Sequence, residues 1–227
     1  MLMKTQLKHT YMFVKTYKIL HIYVLILAFY TYILTLFSDT ALLWVKLFMI
    51  FSDPIMLGLF FVGGVVLIEK QEGVLKSLAC SPLTLHQYLI SKLVILSLLA
   101  VMVAAVLSLV RTNHFNLVMM LGVLLGNVLF TLLGLWLVAK IQTVNQYILY
   151  ATPLTMFITI PFIMGLVFEV RVLTLNPVHM IYEMIAYSHI TPSWPFIIQI
   201  TVLVFSCFVL YNIVYRSYRR MFHEGRI

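Results

Sequence analysis

The chain has 227 residues, of which 63% are hydrophobic and 10% are charged, and its mean hydropathy is +1.06. Soluble domains are only about half apolar, so this composition excludes a soluble domain and predicts an integral membrane protein. The net charge of +8 does not indicate nucleic-acid binding, because the basic residues border apolar runs of about 20 residues, where they set membrane topology.

The chain begins with a basic stretch and continues with six apolar segments. Lysines are interspersed with apolar residues over 1–18, which predicts an amphipathic helix on an anionic membrane surface. No small-residue cleavage site follows the first apolar segment, so we expect an uncleaved anchor. Each segment has about the length of a membrane-spanning helix, which predicts one all-α membrane domain over residues 1–227. The predicted spans are 19–37, 44–68, 93–110, 117–139, 147–168 and 196–215, and the longest segments between them are 69–92 and 169–195.

Lysine and arginine residues are distributed unequally between the two sides of this layout. Twelve fall on one side and three on the other. Cytosolic loops carry the excess of basic residues, so we expect a plasma-membrane protein with both termini and segment 69–92 in the cytosol. The three outer residues are Lys46, Arg111 and Arg171, and the twelve inner ones are Lys4, Lys8, Lys15, Lys18, Lys70, Lys76, Lys92, Lys140, Arg216, Arg219, Arg220 and Arg226.

Segment 69–92 is a long polar interruption between two apolar runs. Its first half predicts a short amphipathic helix, because apolar residues recur at helical spacing and charged residues fall mainly on the opposite side. Ser81 and Pro82 are expected to end that helix and start the next one, since Ser favours the N-cap and Pro the first helical position. The apolar positions are Val74, Leu75, Leu78 and Ala79, and the charged ones are Glu69, Lys70, Glu72 and Lys76.

This segment resembles the signature of the ATP-binding-cassette type 2 permease family, E-x-x-x-G-x-L-x-x-L-x-x-[ST]-P-L followed by Y-L-x-x-K. The resemblance implies a cytosolic coupling helix that docks into a groove of a separate ATPase subunit and passes its movement to the membrane helices. An interfacial helix that lies on lipid headgroups is the alternative. The matching residues are Glu69, Gly73, Leu75, Leu78, Ser81, Pro82 and Leu83, and then Tyr88, Leu89 and Lys92.

The same resemblance implies an exporter that works as a dimer of two six-span chains, identical or sister, with two ATPase subunits. It also implies that residues 1–18 form an elbow helix. The chain contains no G-x-x-x-x-G-K-[ST] phosphate loop, so we expect no cofactor and no catalysis in this chain, with ATP bound by the partner. The expected cargo is a small hydrophobic drug or an amphipathic peptide or lipid. An intramembrane enzyme and a non-transporting immunity or structural membrane protein remain alternatives.

Asp53 is the only carboxylate well inside a predicted span. It lies 15 residues before Ile68, about 22 Å at helical rise, and therefore in the outer half of the membrane. A carboxylate in hydrocarbon is costly and normally faces a cavity or a partner, so Asp53 is a candidate for the wall of a translocation path. The alternative is that Ser52 or Asp53, placed before Pro54, caps the start of a helix.

Two further spans carry polar or small residues with helical spacing. Thr152, Thr155 and Thr159 share one stripe of the fifth span beside two prolines, which predicts either a polar path wall or hydroxyls that bond carbonyls released by the prolines. In the fourth span, Gly122 and Gly126, with Asn127 as a polar neighbour, predict close helix packing.

Segment 169–195 contains a predicted helix that begins at Asn176 and Pro177. Asn favours the N-cap and Pro the first helical turn, and the run that follows is amphipathic. It resembles the re-entrant helices that dip into the outer leaflet in the same permease family. An ordinary surface helix is the alternative.

Overall fold

The described part of the chain folds into helices. The computed structural model describes residues 19–37, 39–75, 84–110, 115–168, 173–187 and 192–223, and the predicted elbow helix lies outside them. Every regular element in these ranges is helical, as the composition and the apolar runs predicted. In chain order the elements are α1 (Ile19–Thr35), α2 (Asp39–Ile50), a π-helical turn (Phe51–Ile55), α3 (Leu57–Gln71), α4 (Leu85–Leu109), α5 (Leu117–Val138), α6 (Val144–Phe168), a 3-10 turn (Leu173–Leu175), α7 (Pro177–Ile185) and α8 (Phe196–His223).

Within the described ranges, four helices are both long and apolar enough to cross a membrane. They coincide with the predicted second, third, fourth and last spans. The first and fifth spans stay predictions, at positions that α1 and α6 occupy. Helix α8 runs to His223, past the predicted end of the last span at Tyr215, so the last span continues as helix into the basic tail. The four candidate spans are Val45–Gln71, Leu85–Leu109, Leu117–Val138 and Phe196–Met221.

Two buried lysines show how the first three of these spans run relative to one another. Lys46 Nζ donates to the carbonyl of Val110 (2.6 Å), just after α4 ends. Lys70 Nζ donates to the carbonyl of Val138 (3.1 Å), the last residue of α5. Each ammonium therefore satisfies carbonyls at the negative end of a helix dipole. The continuous helix α2–α3 consequently runs antiparallel to α4 and parallel to α5. We call the end of the bundle where α5 begins and α4 ends the Asn116 end. The opposite end, where α3 ends and α4 begins, is the Gly73 end.

Helix α5 lies at the centre and packs against α3, α4, α7 and α8. Glycines allow these close approaches: a Cβ at Gly58 would lie 2.2 Å from Thr131 Oγ1, and one at Gly134 would lie 2.7 Å from the Leu59 carbonyl. The predicted packing role of Gly122 and Gly126 is confirmed, since a Cβ at either would come within 3 Å of a side chain of α7. Small residues thus let backbones approach closely where lipid supplies no hydrophobic drive between helices.

The boundaries of the predicted coupling helix differ in the structure. Helix α3 continues through Gln71, and Gly73 ends it with a φ of +71°, a left-handed conformation that favours glycine. Glu69 and Lys70 are therefore buried residues of the span, so their predicted place on the polar face of a surface helix was wrong. The physical reason is that both side chains have buried partners from other helices.

The start of the next helix also differs. Helix α4 begins at Leu85 and not at Pro82, with Thr84 as its N-cap. The Gln87 amide donates to Thr84 Oγ1 (3.3 Å), and the Thr84 amide donates to Gln87 Oε1 (3.2 Å). This reciprocal capping box satisfies two backbone donors at the helix start.

Candidate functional site

The two halves of the coupling signature meet inside the bundle at the Gly73 end. Lys92 Nζ forms an ion pair with Glu69 Oε1. Tyr88 donates its hydroxyl to Glu69 Oε2 at 2.7 Å. Glu69 is 6% exposed and Lys92 2% exposed, so the pair is almost fully removed from solvent. The end of α3 is thereby tied to the first turns of α4 through side chains that the signature itself supplies.

Helix α8 contributes a fourth member to this group. The Tyr218 ring lies 6.3 Å from the Tyr88 ring, centroid to centroid. The Tyr218 hydroxyl is buried and has no hydrogen-bond partner among the described residues. We call Glu69, Tyr88, Lys92 and Tyr218 the Glu69 cluster. It joins three helices at one end of the bundle.

Nearby, Tyr147 fixes the start of α6 to α3. Its hydroxyl donates to the Leu59 carbonyl at 2.5 Å, and the residue is 2% exposed. A Cβ at Gly63 would lie 2.1 Å from the Tyr147 ring, so only glycine leaves room for it. Helix α3 is therefore tightly packed against the start of α6 at Leu59 and Gly63.

The structure describes three of the seven predicted coupling residues. Glu69 is in the Glu69 cluster. Leu75 is fully buried in this chain's own core, so in this state it does not offer its side chain to a partner. Gly73 has open space around the position of a Cβ. The other four, which lie outside the described residues, are Leu78, Ser81, Pro82 and Leu83.

Asp53 lies in the π-helical turn, where Pro54 interrupts the α-helical hydrogen bonding. The helix α3 that follows is flanked by Met56, with no side-chain cap, so the alternative that Asp53 caps a helix start is wrong. The Tyr30 hydroxyl of α1 is hydrogen-bonded to the carboxyl group. Its other oxygen, Oδ2, is buried without a hydrogen-bond partner in the part of the chain that the structure describes.

The carbonyl of Pro54 is satisfied from the centre of the bundle. Asn127 Nδ2 donates to it at 2.8 Å, and Asn127 Oδ1 accepts from Ser97 Oγ at 3.3 Å. A side chain of α5 thus repairs the backbone next to the proline. The turn at Asp53 is held in place by these buried bonds.

The threonine stripe is on α6, whereas the π-helical turn that carries Asp53 packs on α4 and α5. Thr152 is exposed, and its hydroxyl donates to the Ile148 carbonyl at 2.9 Å. Thr155 and Thr159 likewise donate to carbonyls of the preceding turn. Each hydroxyl therefore retains only its acceptor capacity for any further partner.

At the Asn116 end, helix α7 begins at Pro177, where Asn176 Oδ1 accepts from the Val178 amide (2.9 Å). Later in the same helix, Glu183 is the centre of a buried group that the sequence did not reveal. Glu183 Oε1 accepts from the Ser193 amide (3.0 Å) and lies 3.2 Å from His179 Nε2. These contacts attach α7 to the chain that leads into α8.

Gln199 of α8 completes this group, since its Nε2 donates to Glu183 Oε2 at 2.6 Å. Burial raises the pKa of the Glu183 carboxyl, but the hydrogen bonds from His179 and Ser193 outweigh burial. The net pKa therefore lies below its ordinary value of 4.5. We call Glu183, His179, Ser193 and Gln199 the Glu183 cluster.

A groove of about 300 Å³ lies between α4 and α5. Its walls are apolar except for Ser97, whose hydroxyl is already bonded to Asn127. An apolar molecule or acyl chain fits the chemistry of this surface. The residues around it are Leu93, Val94, Ser97, Leu98, Val101, Leu124 and Val128.

Comparison with known proteins gives a partial match. No protein-family model matches the chain. The chain is 30% identical over 117 residues to the fluoroquinolones export permease protein of Mycobacterium tuberculosis strain CDC 1551 / Oshkosh, and equally to the protein of that name from strain ATCC 25618 / H37Rv. The match covers 50% of this chain and 49% of each relative, so the chain spans about half the length of the curated relatives it matches.

Proposed function

We propose that the chain is the membrane-spanning permease subunit of an exporter powered by a separate ATP-binding-cassette ATPase. The observation that carries this proposal is the 30% identity, over half the chain, to proteins named as export permeases. Two structural features support it. Several helices are long and apolar enough to span a membrane, and the coupling signature connects two of them.

The proposed topology has six spans, with α1 and α6 as the first and fifth. The Gly73 end and both termini face the cytosol, and α7 dips into the outer leaflet as a re-entrant helix. The charges support this orientation, because cytosolic ends carry the excess of Lys and Arg. Of the described basic residues, only Lys46 lies at the Asn116 end, and those at or near the Gly73 end are Lys70, Lys92, Lys140, Arg216, Arg219 and Arg220.

In this proposal two permease chains form a dimer above two ATPase subunits, and residues 73–84 dock on the ATPase. Closure of the ATPases on ATP moves the docked segment and switches access to the path from inside to outside. Hydrolysis takes place in the partner, and this chain supplies no catalytic residue and no cofactor site.

The proposed path includes Asp53 and the stripe of Thr152, Thr155 and Thr159, and the proposed cargo is a small hydrophobic or amphipathic molecule. Asp53 supports it as a polar group at membrane depth, with one carboxylate oxygen that has no partner among the residues described. The groove between α4 and α5 supports an apolar cargo. The name of the relatives makes a fluoroquinolone the first compound to test.

The test is ATP-dependent transport by a reconstituted complex. The permease is co-expressed with candidate ATPase subunits of its own cell and purified through a tag on the permease. The complex is placed in liposomes, and uptake of a fluorescent fluoroquinolone is measured with ATP outside. We expect uptake that requires ATP and that stops when the ATPase carries an inactivating substitution. Failure of any such ATPase to co-purify, or ATP-independent uptake, would refute the proposal.

The topology has its own test. Cysteines replace Arg219 at the Gly73 end and Phe115 at the Asn116 end, after Cys80 and Cys207 are changed to Ser. Both positions are exposed in the structure. We expect a membrane-impermeant maleimide to label Phe115→Cys in intact cells and Arg219→Cys only in inverted vesicles. The reverse pattern, or labelling of both from one side, would contradict the proposed orientation.

A further inference from the structure

We propose that Glu69 and Lys92 are positioning residues that join the two ends of the coupling segment, so that a pull on residues 73–84 moves α3 and α4 as one body. This inference rests on the proposed function and assigns the acidic residue of the signature a role other than contact with the ATPase. Its basis is the buried ion pair between the end of α3 and the start of α4.

The connection between the two helices explains why such a tie is needed. Helix α3 ends at Gln71 and α4 begins at Leu85, and the chain between them opens with a left-handed turn at Gly73. A connection with a glycine turn can absorb a displacement by rotating about its backbone, because glycine has the widest conformational freedom. A side-chain link between the two helix ends limits this rotation and adds to the packing of both helices on α5.

The ion pair links the end of α3 to the start of α4. The Lys92 ammonium and the Glu69 carboxylate are both buried, so separating them would leave two uncompensated charges in a medium of low polarity. Tyr88 adds a hydrogen bond from the same helix as Lys92. The two helix ends therefore keep their mutual position when either is displaced.

Helix α8 also joins the Glu69 cluster at the Gly73 end. Tyr218 of α8 packs beside Tyr88. The Glu69 cluster thus passes a displacement on to a third candidate span.

Direct docking by Glu69 does not agree with its burial. At 6% exposure its carboxylate is inside the bundle, with one oxygen bonded to Lys92 and the other to Tyr88. Glu72 lies three residues further on and is exposed. Glu72→Gln removes a carboxylate from the same helix end without touching the buried ion pair, so it is the matched control.

The experiment measures two quantities on the reconstituted complex: the affinity between permease and ATPase, and the number of fluoroquinolone molecules transported per ATP hydrolysed. The variants are Glu69→Gln, Lys92→Gln, the charge swap Glu69→Lys with Lys92→Glu, and the control Glu72→Gln. We expect each single cluster variant to keep its affinity for the ATPase and to lose transport per ATP about tenfold, a usual size for coupling between two sites. The charge swap should recover most of the loss, and the control should keep the wild-type ratio.

A merely structural role would lower the amount of folded complex but would not change transport per ATP of the complex that remains. Tyr88→Phe removes one hydrogen bond and keeps the ion pair, so it tests the inference even if the single charge variants do not fold. We expect its ratio to fall between those of the wild type and Glu69→Gln. Wild-type ratios in Glu69→Gln or Tyr88→Phe, or loss of ATPase affinity in Glu69→Gln, would overturn the inference. Absence of coupled transport in the wild type would instead refute the proposed function.

Discussion

Glu69 and Asp53 are two carboxylates on one helical span, and they differ in the partners that their oxygens have. Glu69, at the Gly73 end, has an ion pair on one oxygen and a hydroxyl donor on the other. Asp53, in the π-helical turn, receives a hydrogen bond from Tyr30 and has a buried oxygen without a partner among the described residues. A satisfied buried carboxylate holds helices together, whereas an unsatisfied one retains the capacity to bind something else.

The difference arises from what the neighbouring helices offer. Lys92 brings a compensating charge to Glu69, so the pair is neutral as a whole. Asp53 has no basic partner within the described ranges. Burial of an unpaired charge is unfavourable unless a proton, a cation, water or a polar ligand compensates it. The comparison predicts that substitutions at Glu69 act mainly on stability and coupling, and substitutions at Asp53 mainly on transport.

The largest effect on stability is expected for Glu69→Ala. Removing one member of a buried ion pair takes away the other's compensating charge, which costs about 3–5 kcal/mol. The measurement is thermal unfolding of the purified protein in detergent, with Lys92→Ala as the reciprocal variant. A double variant that removes both charges should recover part of the loss. Additive losses in the double variant would contradict the pairing of Glu69 with Lys92.

Glu183 provides an intermediate case, a buried carboxylate held by hydrogen bonds from His179, Ser193 and Gln199. Glu183→Ala should destabilise the fold by about 1.5–3 kcal/mol, since hydrogen bonds to a charged group are lost. Because the pKa of Glu183 in the folded state is lowered, its contribution is present above the unfolded pKa and is lost as pH falls through the folded pKa. Unfolding temperature measured against pH should therefore drop further below pH 4.5 in the wild type than in Glu183→Gln. Parallel pH profiles for the two proteins would contradict this.

A pair of adjacent glycines tests how tightly the span is packed near Glu69. Gly63→Ala would place a methyl group 2.1 Å from the Tyr147 ring, whose hydroxyl is held by the Leu59 carbonyl. We expect a loss of about 1–3 kcal/mol, the usual cost of overpacking. Gly64→Ala meets open space and should be neutral or slightly stabilising, since Ala is the better helix former. Equal effects at the two positions would show that α3 is packed less tightly against Tyr147 than its contacts indicate.

The sequence predicted the helical fold class because long apolar runs in a membrane protein leave few alternatives to helix. The sequence placed Glu69 and Lys70 on the polar, exposed face of a helix. Helical periodicity shows only which residues share a face, and not whether that face is buried. Periodicity does not report that Lys92, 23 residues away, supplies a buried partner. The same limit applies to Glu183, whose partner Gln199 is on another helix.

The sequence contains two local signals for the end of α3 and the start of α4 that the predicted boundaries did not follow. Gly73 follows the last turn of an apolar helix, which is the usual place for a left-handed glycine that ends it. Thr84 and Gln87 have the spacing of a capping box, three residues apart. Both signals are local, so sequence alone could have placed the end of α3 and the start of α4 correctly.

The smallest effect on stability and the clearest effect on function are expected for Asp53→Asn. An asparagine amide keeps an oxygen that can accept from Tyr30, and it removes the charge that no described basic residue compensates. We expect the unfolding free energy to change by less than about 1 kcal/mol, or to rise, because a neutral amide costs less to bury than an unpaired carboxylate. If the proposed ATPase binds this chain, its affinity should stay at the wild-type value, since Asp53 lies in the π-helical turn, well before the end of α3 at Gln71.

Transport should change most for cargo that carries a basic amine, because a cationic group gains more from a carboxylate than a neutral group does. The matched measurement is uptake of two fluoroquinolones that differ in one basic group, with Glu69→Gln beside Asp53→Asn. If Asp53 lines the path, Asp53→Asn alters the ratio of the two uptake rates, whereas Glu69→Gln lowers both rates by the same factor. Wild-type transport of both compounds by a folded Asp53→Asn protein would show that the carboxylate faces no cargo.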